Sequence, residues 1–144
     1  MPVLQIKNTS HHPLPQYQSE EAAGLDLQAF LPEPVTLKPL ERCLIPTGLY
    51  IAIDPCFELQ VRARSGLALK HGITLANGVG TIDSDYRGEI GVIVINLSNE
   101  PYIIHDGDRI AQMVFAKIEK ARVMEVESLT DTRRSDGGFG HSGY

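Results

Sequence analysis

Phe57-Glu58-Leu59-Gln60-Val61-Arg62-Ala63-Arg64 alternates apolar and polar side chains one for one. Successive side chains of a strand point to opposite faces, so this period of two describes a strand with one face against a core. Leu49 to Ile53 carries the same pattern. Glu89-Ile90-Gly91-Val92-Ile93-Val94-Ile95-Asn96-Leu97 is apolar on both faces, which predicts a central strand covered on both sides. Arg109 to Ile118 fits a strand at least as well as a helix, because Ile110, Val114 and Ile118 also keep a four-residue spacing. Shorter strands are expected at residues 3–7, 24–29, 35–38, 42–46, 72–76, 102–105 and 122–127.

Turn signals separate these runs: Leu31-Pro32-Glu33-Pro34, Lys38-Pro39, Asp54-Pro55, Asn77-Gly78, Asn99-Glu100-Pro101 and Asp106-Gly107-Asp108. Many short strands with frequent turns predict an all-β sandwich or barrel. The 144 residues suit one domain. Composition shifts once, after Leu129. Residues 1–129 are therefore expected to form the β domain, and residues 130–144 an arm with almost nothing to pack.

The net charge of -5 argues against stable nucleic-acid binding, which relies on basic residues to meet phosphates. A small phosphorylated ligand held by a few placed arginines is still compatible. The start has no apolar stretch long enough for a signal peptide, and no window approaches the roughly 20 apolar residues of a membrane span. A cytoplasmic protein without membrane contact is expected. Cys43 and Cys56 are accordingly read as buried thiols rather than a disulfide. The sequons at Asn8 and Asn96 are read as chance matches.

Five segments carry more chemistry than a sandwich requires. The first, Ala23-Gly24-Leu25-Asp26-Leu27-Gln28-Ala29, sets an Asp between leucines, where it can also simply face solvent. In Arg62-Ala63-Arg64-Ser65-Gly66-Leu67-Ala68 a strand ends in Arg-Ser-Gly, which is an ordinary turn or an anion site. There, glycine lets amides approach an anion and arginine offers paired donors to phosphate. The stretch Gly80-Thr81-Ile82-Asp83-Ser84-Asp85-Tyr86-Arg87-Gly88-Glu89 gathers acids, a Tyr and an Arg before the most apolar strand. It is a solvated hairpin or, better, a carboxylate set to activate water beside a phosphate. It makes a poor calcium loop, with Arg87 fifth and Val94 twelfth from Asp83. In Gly107-Asp108-Arg109-Ile110-Ala111-Gln112-Met113, an amide alternates with apolar residues. Last, the tail is a loose terminus or an arm that sets Arg134, Phe139 and Ser142 on a glycine frame able to close over a phosphorylated base. It is neither a phosphate loop, having no Gly-Lys-Ser/Thr, nor a dinucleotide fingerprint. Histidines 11, 12, 71, 105 and 141 show no zinc spacing, and the cysteines form no CxxC pair. Ser65 is in no Gly-x-Ser-x-Gly elbow.

In this order, the five segments resemble the five motifs of the trimeric dUTPase family over residues 22 to 144. Ile82-Asp83-Ser84-Asp85-Tyr86-Arg87-Gly88 and Gly137-Gly138-Phe139-Gly140 are the most specific of them. The resemblance implies a jelly-roll-like, distorted β-barrel assembled as a homotrimer with sites shared between subunits. It implies hydrolysis of dUTP to dUMP and pyrophosphate with Mg²⁺, which keeps uracil out of DNA and supplies dUMP for dTMP synthesis. It makes Asp83 the base that deprotonates the attacking water. The hairpin with Asn77, Gly80, Thr81 and Ile82 receives uracil, and Tyr86 packs under deoxyribose. Arg64, Ser65 and Gly66 become the phosphate turn, with Ser65 near the α–β bridge. Gln112 serves the α-phosphate, and Asp26 supports the metal through water. Arg134, Gly138 and Ser142 reach phosphate, and Phe139 stacks on the base. Ala63, Ser135 and His141 depart from the usual pattern, where proline, glycine and a small hydroxyl residue are common. A dCTP deaminase shares the fold but is usually longer and lacks the Gly-Gly-Phe-Gly arm. A catalytically silent binding protein is the other rival, opposed by retention of Asp83, Arg64, Ser65, Gln112 and Phe139.

Overall fold

The alternation that begins at Phe57 becomes a strand whose even partners face out and whose Leu59 and Val61 are buried. The same pattern repeats along the chain. The computed structural model describes residues 1–143, so Tyr144 of the expected arm lies outside the described residues. In chain order the elements are β1 (Gln5–Asn8), β2 (Gly24–Gln28), β3 (Val35–Leu37), β4 (Arg42–Ala52), β5 (Phe57–Arg62), α1 (Ser65–His71), β6 (Ile73–Leu75), β7 (Gly80–Ile82), β8 (Glu89–Asn96), β9 (Tyr102–Ile104) and β10 (Arg109–Lys117). The strands form two four-stranded sheets, β1-β4-β8-β6 and β2-β10-β5-β7, and a two-stranded ribbon, β3-β9. All pairings are antiparallel. Both large sheets and the ribbon send side chains into one core, including Leu27, Leu37, Ile45, Leu59, Val92, Ile104 and Met113. The all-β architecture expected from the pattern is observed, in the jelly-roll-like form that the resemblance implies.

Four details of the element pattern differ from the sequence expectation. The strands expected at 42–46 and 49–53 are one strand, β4, bent where its pairing to β8 shifts register between Pro46 and Tyr50. Gly48 at that bulge has φ +69, and an added Cβ there would lie 2.9 Å from both Phe30 and Ser10. Segment 65–71 is a short helix instead of a plain turn, closed by Gly72 in the left-handed conformation. Residues 122–127 form no strand. Val123, Met124 and Val126 are apolar, but no strand among the described residues pairs with them, and they are 94%, 70% and 52% exposed. Finally, β8 is central but covered on one face only. Ile90, Val92, Val94 and Asn96 are buried, whereas Ile93 and its cross-strand partner Leu44 face outward and are exposed.

β10 resolves the helix-or-strand ambiguity through pairing. It lies between β2 and β5, and a register shift between Arg109 and Ala111 lets the consecutive Ile110 and Ala111 both be buried. Cys43 and Cys56 are free, but Cys56 is exposed rather than buried. Asn96 of the second sequon is fully buried. Its Nδ2 donates to Leu37 O and Glu100 O at 2.9 and 2.7 Å, and its Oδ1 accepts from Ser98 N and Oγ at 2.9 and 2.7 Å. These bonds tie the ribbon to the β8–β9 turn. At the other end of the ribbon, the N–H of Leu31 donates to Asp106 Oδ1 at 2.9 Å. That bond, and then the one from His12, hold the Asp106 carboxyl down at about 2. Among the described residues, no helix is long and apolar enough to cross a membrane.

Candidate active site

The first site element is the hairpin between β7 and β8. β7 pairs with β5, Leu59 against Ile82 and Val61 against Gly80, which fixes the hairpin on the core sheet. Beyond Ile82 the chain turns at Asp83, whose carbonyl accepts from Tyr86 N at 3.1 Å. The Tyr86 hydroxyl reaches Glu89 O at 3.0 Å, so its ring folds back over Gly88. A Cβ on Gly88 would overlap the end of the Tyr86 ring, so a larger residue there would displace the ring from this position. Arg87 Nη1 donates to Ser84 O at 2.7 Å and to Tyr86 O at 3.0 Å, bracing the turn. The Glu89 carboxylate accepts from Gly48 N at 2.7 Å and locks the base of the hairpin to the β4 bulge.

This braced hairpin surrounds a cleft of ≈ 210 Å³ whose lining includes Asn77, Gly80, Thr81, Ile82, Asp83 and Tyr86. The fold thus brings together every base- and sugar-contact residue expected in the barrel, and sets the expected base, Asp83, exposed at the rim. Val61, Glu89, Ile90, Gly91 and Ile93 complete the wall. The cleft is smaller than the roughly 300–1,000 Å³ of a whole-ligand pocket, so it suits part of a ligand.

The second element is a separate cleft of ≈ 370 Å³ where β5 gives way to α1. Asp26, Arg64, Ser65, Gly66 and Gln112 line it, together with Lys70 and His71. Register explains the meeting. Gln112 of β10 sits opposite Asp26 of β2 on one side and Arg62 of β5 on the other. Asp26 and Gln112 therefore share the face turned away from the buried Leu25, Leu27 and Met113. Arg64 Nε lies 3.0 Å from Asp26 Oδ1, and Arg109 Nη1 lies 3.4 Å from Asp26 Oδ2. Gln112 Nε2 donates to Ala63 O at 3.0 Å. A Cβ on Gly24 would come within 2.3 Å of Gln112 Oε1, so the glycine makes the space in which the amide lies. Ser65 and Gly66 open the helix with exposed first-turn amides.

Sequence reasoning gave no role to Arg109, Lys70 or His71. Arg109 has a recognisable signal, lying three residues before Gln112 on the same strand. Lys70 and His71 are placed by a helix that the sequence reading did not anticipate. With Arg64 and Lys70 in its lining against Asp26, and Arg109 paired to that same carboxylate, the cleft is net cationic and suits an anion.

The arm is a third, self-contained piece. Arg134, Gly138 and Ser142 line a concavity with Arg133, Gly140 and His141, and Arg134 Nε donates to Gly137 O at 2.8 Å. Phe139 stands fully exposed. Ser135 and Phe139 have φ of +46 and +48, where glycine is unstrained and other residues are not. The hairpin cleft, the cationic cleft and the arm concavity share no lining residue.

A family model described as dUTPase matches residues 10–143. The chain is 58% identical over 141 residues to the deoxyuridine 5'-triphosphate nucleotidohydrolase of Finegoldia magna, covering 98% of this chain and 99% of that protein. It is 54% identical over 140 residues to the protein of the same name from Cytophaga hutchinsonii, covering 97% and 91%. Among solved structures, the Staphylococcus bacteriophage 80alpha dUTPase with dUPNHPP superposes with a TM-score of 0.85 at 25% identity, covering 99% of both chains.

Proposed function

The chain belongs to the dUTPase family and is a dUTP diphosphatase, and from that premise we propose that it acts as a homotrimer whose sites are each shared between subunits. The carrying observation is the separation of the two barrel clefts. The hairpin cleft offers a base and sugar site with a carboxylate at its rim, while the cationic cleft offers phosphate contacts elsewhere on the same chain. Juxtaposing one subunit's hairpin with another's cationic cleft makes one complete site. The uncovered apolar face of β8, with Leu44 and Ile93, supports such an assembly.

In this reading, residues 1–129 form the catalytic body and residues 130–144 the closing arm of a cytoplasmic enzyme. Uracil enters the hairpin and pairs with backbone groups and the Asn77 side chain, among Gly80, Thr81 and Ile82. An apolar pocket distinguishes a methyl by only about 10- to 200-fold, so stronger rejection of thymine comes from clash with a hairpin that cannot yield. The bonds of Arg87, Tyr86 and Glu89 supply that rigidity. Tyr86 packs under deoxyribose and leaves no room for a 2′-hydroxyl. Asp83 takes a proton from water, whose oxygen attacks the α-phosphorus. The bond to the α–β bridging oxygen breaks, and pyrophosphate leaves. Ser65 sits near that bridge, Gln112 and Arg64 hold the α-phosphate side, and the Gly66 amide faces the anion. Phe139 stacks on uracil while Arg134, Gly138 and Ser142 close on the terminal phosphate.

Mg²⁺ suits this donor set through water rather than directly. Both oxygens of Asp26 already face arginines, and Mg²⁺ retains several waters when it binds with phosphates. When bound, the ion would screen phosphate charge and orient the chain, with Asp26 holding its water shell. Release of dUMP also supplies the precursor of dTMP and lowers the dUTP available to DNA synthesis.

Phosphorus NMR of dUTP with purified protein and Mg²⁺ is expected to show pyrophosphate and dUMP. Ammonia from dCTP without pyrophosphate from dUTP would overturn the reaction. Sharing is tested by co-refolding Asp83→Asn with Arg64→Ala. Each is expected to be inactive alone, and the mixture to regain part of the turnover. No regain would place both groups in a site made by one chain.

A further inference from the structure

We propose that His11, His12 and Asp106 form a binding site for a d-block divalent cation of the zinc class, apart from the substrate site. Chain spacing hides it, because each histidine is more than ninety residues from the aspartate. The fold brings the three together. His11 Nε2 lies 2.8 Å from Asp106 Oδ2, and His12 Nε2 lies 2.9 Å from Asp106 Oδ1. All three ligand atoms lie within 4.8 Å of one another. Tetrahedral zinc with ligands about 2.0–2.1 Å away spaces those ligands about 3.3 Å apart. Lengthening the two contacts by about half an ångström, and drawing ligand atoms that now lie up to 4.8 Å apart toward that spacing, admits the ion. Two imidazoles and a carboxylate form a set that zinc accepts and that Mg²⁺, with its preference for oxygen, does not.

The cluster is held before any ion arrives. Asp106 Oδ1 is fixed by Leu31 N–H. The N–H of His12 donates to Ser10 Oγ at 3.1 Å, and His12 O accepts from Asn8 Nδ2 at 2.8 Å. The Phe30 ring meets the two imidazoles edge-on, with centroids 5.5 and 6.3 Å away. His12 packs so close to Gly107 that a Cβ there would lie 3.3 Å from its Cε1. The His12 side chain is 14% exposed and that of His11 65%, so the ion would rest against the body and enter past His11. On binding, each imidazole frees its Nε2 lone pair by carrying its hydrogen on Nδ1, and water fills the fourth position. None of the three residues lines the hairpin cleft or the cationic cleft. The ion would clip the segment between β1 and β2 to the turn entering β10, and so raise stability by linkage.

The test is zinc chloride titrated against a chromophoric chelator in excess MgCl₂, paired with thermal unfolding. Wild type is expected to take up one zinc per chain at this site and to unfold at higher temperature with zinc. His11→Ala and His12→Ala should each weaken uptake at least about tenfold and lose that thermal shift. Asp106→Asn keeps an oxygen for Leu31 N–H and should weaken uptake similarly. His11→Ala should turn over dUTP with Mg²⁺ at the wild-type rate, separating this site from the reaction. Equal zinc uptake by wild type and both histidine variants, or no saturable uptake up to about 1 mM zinc, overturns the proposal.

Discussion

The barrel and the arm obey opposite rules. In the barrel, Leu27, Leu59, Val92 and Met113 are wholly buried and every strand has a partner. After Lys117 the chain forms no strand among the described residues, and Val123, Leu129 and Phe139 face solvent at 94%, 86% and 111% exposure. Burial of apolar area stabilises the first region without help. The second can gain order only from something outside its own barrel. A self-packed barrel and a tail without a partner in its own chain therefore coexist in one short sequence, because their stabilities come from different sources.

That contrast can be broken in graded steps. Asp83→Asn removes the proposed proton acceptor from the rigid region while leaving its bracing bonds. It is expected to lose on the order of 10²–10⁴-fold in kcat with unchanged melting temperature and retained dUTP binding. An active Asp83→Asn enzyme would move the base elsewhere. Deleting the residues after Leu129 should lower kcat/KM by roughly 10²-fold, since the phosphate chain loses its closing contacts, while size-exclusion chromatography still reports the assembly. Full turnover by the truncated enzyme would detach the arm from the site.

Smaller changes sharpen the boundary. Leu59→Ala should cost about 2–5 kcal/mol in denaturant unfolding, because Leu59 is fully buried beside the hairpin strand. The same change at the exposed Leu129 should stay within about 0.5 kcal/mol. If Leu129→Ala is equally costly, the arm has its own packed partner in the assembly. Gly24→Ala should reduce kcat by roughly tenfold by pushing the Gln112 amide off Ala63 O, with about 1–3 kcal/mol of lost stability. Wild-type kinetics in that variant would separate the Gln112 position from catalysis.

Much of this could be read before any coordinates. Period two at Phe57 to Arg64 and the unbroken apolar run from Ile90 to Ile95 place strands because both patterns are local properties of the chain. The hairpin residues Asn77 to Tyr86 are neighbours in the chain, so their common cleft follows from their order. The α1 helix was missed because Ser65-Gly66 signals a turn, and a helix of seven residues offers little periodicity to detect. A strand at 122–127 was expected because alternation describes a residue's fitness for a sheet, not the presence of an edge to pair with.

The sequence by itself determined most of the strands and the groups proposed to carry the chemistry, since each depends on residue type and short spacing. Tertiary structure alone decided that Asp26 lies between Arg64 and Arg109, that Gly24 makes room for Gln112, and that His11 and His12 meet Asp106. The reason is physical: those meetings depend on strand register and bulge position, which are set by how the whole core packs and leave no mark in local spacing.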